Sequence, residues 1–323
     1  MKTMRAVWRE EYCAPEKAGC KNVDIPLPGP GEVLVRVMAT TVNRTDCAIL
    51  TGKPFIMRFF TGFGRPKSPI PGTDFAGIVE SVGEGVTAFK AGDRVWGFDD
   101  QGLATQAEYA VIPVKKAILP LPGKISFTDA AASAEGAHYA YNFLNKVKLR
   151  AGQKALVLGA TGAIGSALLQ FCKYHGLHVT ATGPTPELKR VKALGADGVI
   201  DYLAEDFTAT GETYDYVFDA VGKSTFGICK RLLVPRGIYI SSEPGPGGQN
   251  IFLALWGLFR LGRRVIFPVP SNIRRSLGFV AELTAQGKFK PLIDKHYAIE
   301  KAGEAYAYAA SGKKIGNVIL DLK

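Results

Sequence analysis

The chain has 323 residues, 47% hydrophobic and 21% charged, which is length for roughly two domains and the balance of a soluble protein with a buried core. Its net charge of +11 sits in scattered pairs (Lys115–Lys116, Arg263–Arg264, Arg274–Arg275, Lys313–Lys314) rather than in a run. No nucleic-acid-binding motif accompanies them, so nucleic acid is not the expected partner and a phosphorylated cofactor is. The five cysteines, Cys13, Cys20, Cys47, Cys172 and Cys229, form no CxxC pair and are odd in number. That argues for a reducing, cytoplasmic setting over a disulfide framework. No leader-like segment precedes the first expected strand, Met4–Trp8. The longest apolar stretch, at 251–259, is far short of the ~20 residues a membrane span needs.

The first 120 residues read as short strands between turns. VLVRVMAT (33–40), FAGIVESVG (75–83) and QAEYAVIP (106–113) are rich in β-branched and aromatic residues, with Pro, Gly and Asp between them. This is the texture of a small barrel or sandwich. ILPLPGKIS (118–126) reads as a hinge. From 127 to about 250, apolar strands alternate with helical segments: strands at 154–158, 178–182, 198–200, 214–220 and 237–241, helices at 166–176 and 186–195. Such alternation predicts a parallel sheet covered on both faces. Two further helices, at 276–288 and 301–313, lead to a last strand at 317–322 that is expected to return to the first domain.

KALVLGATGAIGSALLQFCKYHG (154–176) is the most informative stretch. An apolar strand runs into Gly159-Ala160-Thr161-Gly162-Ala163-Ile164-Gly165 and a helix follows at once. A pyrophosphate requires backbone that can approach it closely and helix N-terminal amides aimed at the anion. An NAD-binding domain of this kind ends its second strand in an acid that binds the adenosine ribose. Here HVTAT ends at Gly183, with Thr182, Thr185, Lys189, Arg190 and Tyr202 around it. Hydroxyls and cations without a carboxylate suit a 2′-phosphate, so the expected cofactor is NADPH.

Taken together, PGPGEVLVRV (28–37), VNRTD (42–46), PGTDFAGIVESVG (71–83), GDRVWG (92–97), the glycine loop, ALGADGVIDY (193–202), FDAVG (218–222) and GKKIGNVIL (312–320) resemble the medium-chain dehydrogenase/reductase superfamily. Within it the chain is similar to the zinc-independent, quinone-oxidoreductase-like (zeta-crystallin-like) branch. The resemblance implies an α/β protein: a discontinuous GroES-like β-barrel catalytic domain (1–121 and 266–323), a Rossmann domain (122–265), and an active-site cleft between them. It places Val221 and Gly222 at the cofactor. The positions of the zinc ligands of zinc-dependent relatives fall at Asn43, Thr73 and Glu135, a poor zinc set, so no metal is expected. Thr45 falls where those relatives contact the substrate oxygen, Asp46 completes the N-x-x-D pattern of the zinc-free branch, and Tyr139 falls beside the nicotinamide. Asn43, Thr45, Asp46 and Tyr139 are therefore the expected catalytic residues.

Three functions compete. The leading one is an NADPH-dependent, zinc-independent reductase of quinones or α,β-unsaturated carbonyls, in which neutral donors stabilise the developing oxyanion. The loop PFIMRFFTGFG (54–64) suits a small apolar carbonyl or quinone, or else packs in the core or against another subunit; a homodimer is left open. The second is a zinc-free NADP-dependent alcohol or carbonyl oxidoreductase. The third is a non-catalytic NADPH sensor or a nucleic-acid-binding protein, resting on the positive charge.

Overall fold

The computed structural model describes residues 2–257 and 262–322. Leu258 and Phe259, at the end of the apolar stretch singled out above, lie outside the described residues. The chain divides into two compact units: 1–135 with 272–287 and 293–323, and 136–271 with 288–292.

The first unit opens with strands β1 (Thr3–Trp8), β2 (Gly19–Asp24) and β3 (Glu32–Thr41), then helices α1 (Arg44–Thr51) and α2 (Met57–Thr61). Strands β4 (Asp74–Val82), β5 (Arg94–Phe98), β6 (Tyr109–Pro113) and β7 (Ile118–Pro120) follow, and then helix α3 (Phe127–Ala132). β3 is the axis: it pairs antiparallel with both β4 and β6. Gly77 sits opposite the β3 backbone where a Cβ would lie 2.3 Å from the Arg36 carbonyl oxygen, so only glycine permits this approach. The strand expected from 106 begins at Tyr109 instead. Gln106 is used otherwise, its amide donating to the Thr41 carbonyl and its side-chain oxygen accepting from the Tyr306 hydroxyl. The expected hinge also begins as a strand: Ile118 is fully buried and β7 pairs with β5.

The second unit takes in helix α4 (Glu135–Leu144) beyond its first residue, and strands β8 (Lys154–Leu158), β9 (His178–Gly183), β10 (Gly198–Asp201), β11 (Tyr214–Asp219), β12 (Leu233–Ser241) and β13 (Arg264–Ile266). Between them run α5 (Ala163–Tyr174), α6 (Leu188–Ala193), α7 (Phe226–Cys229) and α8 (Gln249–Gly257). The sheet order is β10-β9-β8-β11-β12-β13, and all its pairings are parallel. β8 and β11 are apolar because both their faces are covered, as expected of a parallel sheet.

The chain then returns to the first unit through α9 (Ile273–Ala285), β14 (Ile293–Ala298), α10 (Ala302–Ala310) and β15 (Asn317–Asp321). β15 pairs antiparallel with β3, Ile319 opposite Thr41, so the last strand does rejoin the first part of the chain. Ala302, Ala305, Tyr306 and Ala309 form the buried stripe of α10 at helical spacing. The division after Glu135 is later than a boundary at 121. The cause is α3, whose Ala130, Ala131 and Ala132 are buried and which packs on β3, β4 and β15. No helix among the described residues is long and apolar enough to cross a membrane.

Candidate active site and cofactor loop

In the second unit, β8 delivers the glycine loop to the start of α5. Gly159 has φ 78° and a Cβ there would lie 1.9 Å from Val221 Cγ2. A Cβ on Gly165 would lie 2.1 Å from the Gly159 carbonyl oxygen, so helix and strand end touch backbone to backbone. Ala160 is fully buried and its amide donates to the Thr182 carbonyl; Thr182 Oγ1 accepts from the Gly159 amide at 3.0 Å. Thr182 thus braces the loop. Gly162 caps α5 with no side-chain acceptor, leaving the first-turn amides of Ala163, Ile164 and Gly165 for an external anion. Thr161 is half-buried beside them. A dinucleotide pyrophosphate fits this cradle.

The strand ends beside the loop hold a carboxylate that the end of β9 lacks. Asp201, on β10, lies in register with Gly183. Its carboxylate accepts from the Thr185 hydroxyl at 2.5 Å and the Leu203 amide at 3.0 Å. Thr185 is therefore tied to an acid. Lys189 and Tyr202 are exposed, and Arg190 is 3.3 Å from Glu187. At the end of β11, buried Asp219 accepts from the amides of Val221, Gly222 and Ser224 and from the Tyr239 hydroxyl. That carboxylate shapes the turn carrying Val221 and Gly222.

In the first unit, the end of β3 and the start of α1 assemble a buried polar cluster. Asn43 caps α1, and its backbone amide donates to Asp46 in a capping box. Thr73 Oγ1 also donates to Asp46, at 3.2 Å. Asn43 Nδ2 donates to Thr41 Oγ1 at 2.8 Å and to Asn317 Oδ1 at 3.3 Å, while Asn43 Oδ1 accepts from Lys314 Nζ at 2.8 Å. Thr41 in turn donates, through Oγ1 and its amide, to Asp74. Thr45 Oγ1 donates to Glu135 Oε1 at 2.7 Å, and Glu135 Oε2 is buried with no hydrogen-bond partner. Burial and the Glu135 and Asp74 carboxyls push Asp46 well above the usual carboxylate range. Burial pushes Asp74 up to about 7, against the pull of the Thr41 donors. Burial raises Glu135 against the opposing pull of Thr45 and of the Lys314 charge, and lowers Lys314 from the ordinary lysine value.

Residues 29–123 match the alcohol dehydrogenase GroES-like domain and residues 194–320 match the zinc-binding dehydrogenase family. A chloroplastic quinone oxidoreductase, QR1, of Triphysaria versicolor is 31% identical over 99% of both chains. The chain belongs to the medium-chain dehydrogenase/reductase superfamily, in its quinone-oxidoreductase-like branch. A chloroplastic NADPH-dependent alkenal/one oxidoreductase of Arabidopsis thaliana is 28% identical over 93% of this chain and 74% of that protein. The quinone oxidoreductase structure from Coxiella burnetii superposes with a TM-score of 0.88 at 24% identity, covering all of both chains; this likeness establishes the fold. The protein is an oxidoreductase, so the non-catalytic sensor or nucleic-acid-binder reading is set aside.

As a member of this superfamily, the chain brings Asn43, Thr45, Asp46, Thr73 and Glu135 into one cluster. Asn43 differs from its expected part as an oxyanion donor: both side-chain donor directions and the backbone amide are already used within the protein. Asp46 is the buried N3 carboxyl of the α1 capping box, accepting from the Asn43 amide. Tyr139 lies in the second unit, on α4, half-buried with its ring 5.4 Å from that of His138. Burial pulls His138 down to about 4, so its imidazole is neutral at physiological pH. We expect no limb attributable to His138 in a rate profile between pH 6 and 8, and His138→Gln should leave the shape of that profile unchanged. The aromatic loop is not core: Phe55, Phe59, Phe60 and Phe63 are exposed, and three of them stack edge to face at 5.6–5.9 Å. Reading the sequence missed Lys314, Asp74 and Asp201. Lys314 lies in the GKKIG run (312–316), where nothing in the sequence sets it apart from Lys313.

Proposed function

We propose that this protein is an NADPH-dependent reductase of quinones or α,β-unsaturated carbonyls that works without zinc. The observation that carries the reading is the Lys314 ammonium on Asn43, at a position where zinc-dependent relatives place a metal ligand. A cation already held there opposes a second one, and Asn43, Thr73 and Glu135 offer neither thiolate nor imidazole. The names of the relatives, quinone oxidoreductase and NADPH-dependent alkenal/one oxidoreductase, support the substrate class and cofactor. The chain's own thiols, all free, support a cytoplasmic setting.

NADPH, when bound, supplies a hydride. The chain's part is to hold the pyrophosphate on the first-turn amides of α5 with Gly159–Gly165, to shape the Val221–Gly222 turn, and to set donors around the substrate oxygen. Alcohol oxidation passes through an alkoxide that zinc-dependent relatives stabilise with the metal. Losing a Lewis acid forfeits several kcal/mol, about a hundredfold or more in rate. An enolate spreads its charge, so protein donors are sufficient.

The test is steady-state turnover: NADPH consumption with a 2-alkenone, a 2-alkenal and a quinone, against NADP⁺ reduction with ethanol and benzyl alcohol. Fast reduction of the first group and slow oxidation of the second are expected; the reverse pattern would favour the zinc-free alcohol dehydrogenase reading. Elemental analysis should give far less than one zinc per chain, with activity unchanged by a chelator, and stoichiometric zinc would contradict the metal-free site.

For the 2′-phosphate, exposed Lys189 is the proposed cation. Lys189→Glu should weaken NADPH binding by about tenfold or more, since a charge-assisted contact contributes roughly 1.5–3 kcal/mol, and leave NADH unchanged. A Gly183→Asp exchange is a poorer probe, because a Cβ there meets Val191 and Thr161 at 3.3 and 3.4 Å. Equal loss for both cofactors would remove Lys189 from the phosphate site.

A further inference from the structure

Among the described residues, the hydroxyl donors of the polar cluster are already spent on internal acceptors. Thr41 donates to Asp74, Thr40 to Asp74, Thr73 to Asp46, Thr45 to Glu135, and the Asn43 amide group to Thr41 and Asn317. Each hydroxyl has a single proton, and each is already placed on an internal acceptor. Lys314 differs. An ammonium has three donors, and two are spent, on Asn43 Oδ1 at 2.8 Å and on the Gly316 carbonyl at 2.7 Å.

We propose that Lys314 is the cationic oxyanion donor of this enzyme, its third N–H binding the substrate carbonyl oxygen as negative charge builds there. The proposal rests on the reductase reading above. Lys314 would thus serve in place of the metal of zinc-dependent relatives.

The backbone around Lys314 is held for such a task. The amide of Ile315 donates to Asp294 at 2.7 Å and Asn317 opens β15. The ammonium is anchored at two points, so it need not reorganise when the charge appears, which is what makes a fixed donor effective. It is half-buried, shielded enough for its field to count. Burial lowers the Lys314 pKa, and the Glu135 carboxyl is the foremost of the neighbours that oppose this shift.

The reaction balances without a proton leaving Lys314. Hydride adds to the β-carbon of an enone, the C=C pair moves to form the enolate, and its oxygen accepts the Lys314 N–H. A solvent proton then reaches the α-carbon, giving the saturated ketone and NADP⁺ from enone, NADPH and H⁺.

The experiment compares wild type with Lys314→Met and Lys314→Arg. Removing one oxyanion donor costs about 10²- to 10³-fold in kcat. Lys314→Met should show that loss with NADPH affinity and unfolding temperature near wild type, and a larger isotope effect with 4-deuterated NADPH. Lys314→Arg, which keeps a cationic donor, should recover part of the rate. A second arm needs no turnover: 4-nitrophenol titrated in the presence of NADP⁺ should bind wild type as the phenolate, with its apparent pKa lowered, and Lys314→Met without that shift. Wild-type turnover of enones with Lys314→Met at the wild-type rate would overturn this proposal and leave the reductase reading standing. No enone or quinone turnover by wild type, with the phenolate shift present and lost in Lys314→Met, would overturn the reductase reading and keep Lys314 as an anion donor. No phenolate shift in wild type would overturn the proposal whatever the turnover.

Discussion

Gly165→Val is expected to abolish measurable NADPH binding and to lower stability by more than about 3 kcal/mol, the range of severe single-site changes. Even a Cβ would lie 2.1 Å from the Gly159 carbonyl oxygen and 2.8 Å from its carbon, so the start of α5 must move away from the end of β8. The obstacle is backbone, which has no rotamer to change. The same movement withdraws the Ala163, Ile164 and Gly165 amides from a pyrophosphate, and close backbone approach is what a glycine in this loop provides. A thermal melt and a fluorescence titration with NADPH give the two readouts. The control is Gly227→Ala in α7, where a Cβ has only Thr225 Oγ1 within 4 Å, at 3.7 Å; it should be neutral or slightly stabilising. Retained NADPH affinity in Gly165→Val would show that the anion is held elsewhere.

The second large effect is expected at Asp219. Asp219→Ala leaves the amides of Val221, Gly222 and Ser224 and the hydroxyl of Tyr239 without their acceptor. An unsatisfied buried donor costs about 1–3 kcal/mol, and the set acts together, so a loss of about 3–5 kcal/mol is expected. Burial and the adjacent Asp219 charge push the Tyr239 phenol upward, which keeps it protonated and donating across the physiological range. Tyr239→Phe removes one donor and its partner bond, so its cost should be nearer 1 kcal/mol. The Asp219→Ala turn at 221–222 should also loosen, lowering NADPH affinity in whatever fraction stays folded. Equal destabilisation by the two changes, in denaturant melts, would show that Asp219 does not act as a hub.

Strands β8 and β9 and the glycine loop were legible in the sequence because one chemical demand governs each. A strand buried on both faces must be apolar, and KALVL runs over the same residues, 154–158, as β8. Polar strands left no such mark. β2 (GCKNVD) and β14 (IDKHYA) are largely exposed or half-buried and depend on pairing with β1 and β15, a tertiary condition that periodicity does not carry. The short helices α1 and α2 are too brief for a hydrophobic period to emerge. In the site, Asn43, Thr45 and Asp46 could be singled out because they lie within four residues of one another in a motif. Lys314 bonds to Asn43 across 271 residues of chain, and nothing local separates it from Lys313. Asp201 is hidden from the sequence for a related reason: parallel pairing sets it beside Gly183 from the neighbouring strand β10, where its carboxylate is bound by Thr185 and the Leu203 amide.

The most direct test of the central assignment is the fate of a labelled hydride. The protein should be given 4-deuterated NADPH (either face labelled in parallel) and a 2-alkenone, and the product analysed by mass spectrometry and NMR. Conjugate reduction predicts a saturated ketone with one deuterium on the β-carbon. An allylic alcohol carrying deuterium on the former carbonyl carbon would contradict it and make the protein a carbonyl reductase.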